Sequence, residues 1–216
     1  MTRKHLFFAI ALLIIAGAGP SANSLGVVDY SNNFYWHGWY RVGGGVLAVD
    51  DVHRTSSLDI VGADFVYASE SGTDSTATLF FFSNPGGLDD PTQAAFLASY
   101  DVGPVAPGWT LVHYDLPAPL PAPQDLWMGL RFGNDTVSLV LADPPAIGTS
   151  HDLFARDTNG DNVLEGPYWF GGDPVASFGL RTYSVSEVVP ELPASLLALG
   201  PGLVGLLAYK YKSRRR

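Results

Sequence analysis

The stretch Trp109-Thr110-Leu111-Val112-His113-Tyr114-Asp115-Leu116 decides the fold class. Trp109, Leu111, His113 and Asp115 fall on one face. Thr110, Val112, Tyr114 and Leu116 fall on the other. In an extended chain successive side chains point to opposite sides, so this period of two is that of a strand. The proline-rich run Pro117 to Pro123 follows it. This run reads as a connection, because a proline has no N–H for a central ladder.

Working outward, the same signal recurs. Towards the N-terminus lie Ala94–Val102, Ala77–Ser83, Leu58–Ala68, Val46–Val52, Phe34–Arg41 and Leu25–Tyr30. Towards the C-terminus lie Leu126–Phe132, Val137–Ala142, Leu153–Arg156, Tyr168–Phe170 and Ala176–Ser184. Only Ala94–Val102 is also compatible with a short helix. Glycine (24) and proline (16) punctuate the chain, and no strand–helix alternation is present. Strands of this kind bury themselves as two packed antiparallel sheets. The expected fold is all-β, a jelly-roll-like antiparallel β-sandwich over residues 25–187. No internal repeat is found.

The charges bound the partners. Residues 25–189 carry five arginines, no lysine and twenty carboxylates, a net charge of −15. Such a domain repels nucleic acid, which excludes that class of partner. Cysteine is absent, so stability rests on packing; the acidic composition favours solubility and divalent cations, a structural Ca2+ being the candidate ion, and no cofactor is required.

Both ends differ in kind from the middle. Arg3, Lys4 and His5 precede the apolar run Leu6–Ala16, which is too short to span the roughly 30 Å of a bilayer core. Ala22-Asn23-Ser24 offers small residues for a peptidase, so residues 1–24 read as a signal peptide. At the other end an apolar run covers Ala194–Tyr209, about 24 Å as a helix, with Pro201 inside it. Lys210, Lys212, Arg214, Arg215 and Arg216 follow as a basic stop, which orients a membrane helix with its tail inside and the domain outside.

Val189-Pro190-Glu191, the short apolar helix at 194–209 and the basic tail 210–216 together resemble the PEP-CTERM sorting signal. The family pattern is Pro-Glu-Pro; here Leu192 intervenes and the second proline is Pro193. The resemblance spans 188–216. It implies an exosortase-type processing enzyme as a partner, a stay in the membrane, and association with extracellular polysaccharide. Ala94–Tyr100 leading into Gly108-Trp109, then Leu126–Phe132, then Ser150 to Asp157 ahead of Phe170-Gly171-Gly172, are similar to domains found upstream of that signal. That likeness bears on fold and location, not on activity.

Within the domain three constellations stand out. Asp157-Thr158-Asn159-Gly160-Asp161-Asn162-Val163-Leu164-Glu165 places oxygens at spacings of two. Asp157, Asn159, Asp161, the Val163 carbonyl and Glu165 form a calcium-loop candidate resembling the first half of an EF-hand or dockerin loop. It lacks that loop's turn glycine, replaced by Asn162, and its closing acid, replaced by Tyr168. The same residues also read as a polar hairpin turn, and both readings stay open on sequence. Tyr35, Trp36, His37 and Trp39, within an aromatic run from Tyr30 to Tyr40, are a candidate surface for stacking on sugar rings; the competing reading puts such rings in the core. Asp50-Asp51 and Asp89-Asp90 read as turn or edge residues. No catalytic residue is singled out, because no nucleophile elbow or metal-ligand spacing occurs.

The expected function is that of an exported cell-surface or matrix-associated protein of structural or adhesive type. A carbohydrate-binding module is the alternative, and a secreted glycan hydrolase is a more distant one.

Overall fold

A computed structural model describes residues 26–186 except 33, 35–37, 71–74, 88 and 173–175. The leader 1–24, the sorting motif from Val189 to Pro193, the expected helix 194–209 and the basic tail lie outside the described residues. So do Tyr35, Trp36 and His37. Among the described residues no helix is long and apolar enough to cross a membrane.

The described chain is all-β. Its strands are β1 (Val27–Ser31), β2 (Gly38–Arg41), β3 (Leu47–His53), β4 (Ile60–Ser69), β5 (Thr76–Ser83), β6 (Ala95–Pro104), β7 (Gly108–Leu120), β8 (Asp125–Phe132), β9 (Val137–Ala142), β10 (Leu153–Asp157), β11 (Glu165–Trp169), β12 (Ser177–Phe178) and β13 (Leu180–Ser184). One 3₁₀ turn, Pro91–Gln93, precedes β6. The segment open to a helix reading, Ala94–Val102, is therefore a strand.

Two antiparallel sheets result. In the first, β4 pairs with β7 along one side. Its other side pairs with β13 in the first half and with β9 in the second. Beyond these lie β1 against β13, and β2 and β12 against β9. The second sheet runs β11-β10-β3-β8-β5-β6. Phe65, Tyr67, Leu139 and Phe178 of the first sheet meet Leu79, Phe81, Met128 and Leu130 of the second in one core.

The three consecutive phenylalanines of β5 follow from this layering. Phe81 faces the inter-sheet core. Phe80 and Phe82 face the opposite side, where Leu47, Val49, Trp127, Leu153 and Leu164 form a second cluster. β5 and β8, central in the second sheet, are thus buried on both faces, and their sequences run largely apolar without alternation. Gly129 serves the same sheet: a Cβ there would overlap the carbonyl oxygen of Ala48 on the neighbouring β3.

β7 extends to Leu120, through prolines expected to lie in a connection. Pairing passes from Gly62↔Asp115 directly to Ile60↔Leu120, so the residues between bulge out of the ladder. β7 is also an edge strand. Pro117 and Pro119 leave no central hydrogen bond unmade there.

Arg54 locks one end of the sandwich. Fully buried, it donates Nε–H to Asp29 Oδ2 at 2.7 Å, and its remaining nitrogens donate to the Ser184 hydroxyl and to the carbonyls of Leu58, Ala122 and Pro123. Thr182 Oγ1 donates to the other Asp29 oxygen at 2.6 Å. Both buried charges are therefore paired and hydrogen-bonded, which burial of an ion requires.

Candidate functional site

The alternation in β7 has a direct structural result. Thr110, Val112 and Tyr114 turn inward, and Trp109, Leu111, His113 and Asp115 turn outward. Trp109 is 54% exposed and Leu111 47%. Apolar side chains thus occupy the face that solvent should have. On the opposite edge of the same sheet Trp39 of β2 is 62% exposed.

Strand register brings the two indoles to one place. Trp109 stands opposite Ala68, Ala68 opposite Ser138, and Ser138 opposite Arg41. Trp39 is two residues from Arg41 and shares its face. Three strand spacings of about 4.8 Å separate the edges, roughly 14 Å. The indoles flank a cleft of about 440 Å³. Ala68 and Ser138 are small enough to leave its floor open, and Gly108 (φ +84°) turns the chain into β7 at its side. Arg41 and Glu70 form an exposed ion pair at the rim. Glu70 is the one carboxylate among the described lining residues.

Further along this face a polar network surrounds Asp64. His113 Nδ1 lies 2.5 Å from Asp64 Oδ1, and Tyr183 Oη and Arg181 Nη1 donate to Oδ2 at 2.7 and 3.0 Å. The hydrogen bond to Asp64 raises the His113 pKa above its ordinary value. The Arg181 guanidinium also covers the Phe34 ring at 4.7 Å.

The aromatic run divides. Tyr30 is fully buried, and Tyr40 packs on Phe154 with centroids 4.9 Å apart. Trp39 alone of the four candidate stacking residues lies among the described ones, and it faces solvent. Its counterpart Trp109 was legible as a strand residue but not as a site residue. The available signal was an indole and Leu111 alternating with polar residues on one strand face.

In the 157–165 loop the side chains of Asp157, Asn159, Asp161 and Glu165 each accept a hydrogen bond from within the fold. Asp157 is fully buried; Oδ1 accepts from the N–H groups of Asn159 and Gly160, and Oδ2 from Asn162 N–H and Arg131 Nη2 at 2.7 Å. Asn159 Oδ1 accepts from Asp161 N–H, and Asp161 Oδ1 from Val163 N–H. Glu165 Oε1 accepts from the Thr158 hydroxyl. Val163 is exposed. Asn162 takes φ +62° and Gly160 φ +81°, the left-handed backbone of a tight turn. Among the described residues no group of three His, Asp or Glu side chains is placed to hold a metal ion. The turn reading accounts for these hydrogen bonds, while Asn162 Oδ1 is buried without a partner.

Asp50 and Asp51 are not turn residues. Both lie in the middle of β3 and are fully buried. Asp50 Oδ2 accepts from Phe178 N–H at 2.6 Å, tying the two sheets together, while Oδ1 has no hydrogen-bond partner. Asp51 accepts from His151 N–H at 2.7 Å and from the Ser150 hydroxyl. Burial, then the neighbouring Asp51, holds the Asp50 pKa well above the carboxylate range. Burial pushes Asp51 up to about 7. Sequence could not show this, because two adjacent acids ordinarily mark a turn. Asp89 and Asp90 do lie in one, and Asp90 caps the 3₁₀ turn through Thr92 N–H.

Comparison with known protein families, with characterised proteins and with solved structures finds no match.

Proposed function

We propose that this is an exported protein of the cell surface or extracellular matrix, of adhesive type, which holds extracellular polysaccharide on the outer face of its first sheet. The observation that carries the adhesive part is the cleft between Trp39 and Trp109. Flat aromatic rings exposed on a rigid sheet bind sugar by covering the apolar faces of pyranose rings. Export and sorting are supported by the two ends of the sequence: the leader 1–24, the motif Val189-Pro190-Glu191 with Pro193, and the basic stop from Lys210 to Arg216. On this reading the C-terminal segment holds the domain outside the membrane until an exosortase-type enzyme processes it.

The finer fold reading is a jelly roll. The strand orders β1-β13-β4-β7 and β3-β8-β5-β6 within the two sheets support it, since they interleave strands from both halves of the chain. A binding role suits the cleft better than hydrolysis. A glycosidase sets two carboxyl groups across one bond, whereas Glu70 here is paired with Arg41.

The test has two parts. The intact mass of the protein recovered from cell surface and medium reads its processing. Its sedimentation with the polymer of the same cells reads adhesion. Full-length protein in the cytosol with neither end trimmed defeats the export reading. A processed surface protein that ignores the polymer defeats the adhesive one.

A further inference from the structure

We infer that the Trp39–Trp109 cleft takes a neutral, β-linked glucan-type chain, gripped by an indole at each end, and rejects acidic polysaccharide. The inference rests on the adhesive reading above and deepens it.

Charge selects the neutral ligand. An acidic glycan needs cations to replace the counterions it sheds. Arg41 is the cation beside the cleft among the described residues, and Glu70 already neutralises it. The surrounding domain carries −15, so a uronate chain meets a repulsive field and, among the described lining residues, no cation. A neutral chain loses nothing to that field.

Shape selects an extended chain with apolar faces. The indoles stand on opposite edges of the sheet, roughly 14 Å across the strands and about 7 Å along them, so their backbones are roughly 16 Å apart, the reach of a short oligosaccharide rather than of a single ring. Ala68 and Ser138 keep the floor low between them, so the middle of the chain can lie flat. Sugars whose ring substituents are equatorial present two apolar faces to such a platform; axial hydroxyls lift the ring from it. The Arg41 and Glu70 side chains stand at the rim, where their remaining donors and acceptors reach hydroxyl groups at the edge of the chain.

The experiment is sedimentation of the full-length chain in mild detergent with insoluble polysaccharides: cellulose and β-1,3-glucan as neutral probes, calcium-pectate beads as the acidic one. Trp39→Ala, Trp109→Ala and Trp109→Phe are run beside the wild type, with melting temperature as the folding control. Both tryptophans are more than half exposed, and an unchanged melting temperature marks a truncation that leaves the fold intact. The expected result is retention on at least one neutral glucan and none on pectate. Each alanine variant weakens retention by about tenfold or more, and Trp109→Phe recovers part of it. Retention on pectate alone overturns the neutral-chain inference and leaves the adhesive reading standing. Retention by neither probe, nor by the polymer of the same cells, overturns both. Neutral binding that survives both alanine substitutions, or a wild-type dimer that Trp109→Ala dissociates, overturns the assignment of the cleft.

Discussion

Raising the pH from 4 to 8 should destabilise this domain, and Asp51 should be a principal reason. Its carboxyl is fully buried in β3, and its pKa moves from 3.8 to about 7. Between those values the folded state holds a proton that the unfolded chain has released. The folded form therefore binds more protons, and stability falls as pH rises through that window. Three units at about 1.4 kcal/mol each give roughly 4 kcal/mol. Set against a typical stability of 5–15 kcal/mol, the loss is large, a fall in Tm on the order of 10 °C. Asp50 adds to it in the same direction, since burial and the charges of Asp51 and Asp152 all oppose its ionisation. His151 works the other way, because its imidazole lies 3.7 Å from Asp51 and 3.1 Å from Asp89 and favours the Asp51 anion when protonated. Burial outweighs it. The assay is urea denaturation at half-unit steps from pH 4 to 8, on wild type, Asp51→Asn and Asp50→Asn/Asp51→Asn. Asparagine keeps an acceptor for the His151 and Phe178 N–H groups and removes the titration. The wild type should lose stability across the range, the single variant less, and the double variant least. A flat wild-type profile, or a double variant with the wild-type slope, refutes the reasoning.

Other outcomes follow from single contacts. Gly129→Ala should destabilise by about 3 kcal/mol or more in the same assay, because the new methyl group meets backbone rather than a movable side chain. Arg54→Met should lower stability by roughly 3–5 kcal/mol, since Asp29 would keep a buried charge without its cation; Asp29→Asn in the same background should recover part of the loss. Millimolar calcium should leave the Tm unchanged and EDTA should not lower it, because Asp157 already satisfies both oxygens with three N–H groups and Arg131. A calcium-dependent rise in Tm would give the 157–165 loop back to the metal reading.

What the sequence made legible was whatever depends on neighbours within one strand. The alternation from Trp109 to Leu116 holds residue by residue because the pleat alone sets it. Val137–Ala142 keeps the bounds its apolar run suggests. Unreadable were the properties that belong to pairs of strands. Pro117 and Pro119 sit in β7 because β4 skips residues opposite them, and no local rule contains the partner's register. Asp50 and Asp51 look like a turn until β8 and β10 close on either side of β3 and seal them.

The cleft is the same kind of object. Trp39 and Trp109 are far apart in the chain, and neither strand pairs with the other. They share a face because β4 and β9 lie between them in one register, with an alanine and a serine at the crossing points. A slip of one residue in either pairing would send one indole into the core. The inward neighbours forbid that slip: Tyr67 of β4 and Leu139 of β9 are locked into the packing with Phe132 and Phe65. The core thus fixes the surface. The platform's geometry is inherited from buried residues that a sugar never touches, so a core substitution that loosens the β4–β9 register should weaken binding while both tryptophans remain in place.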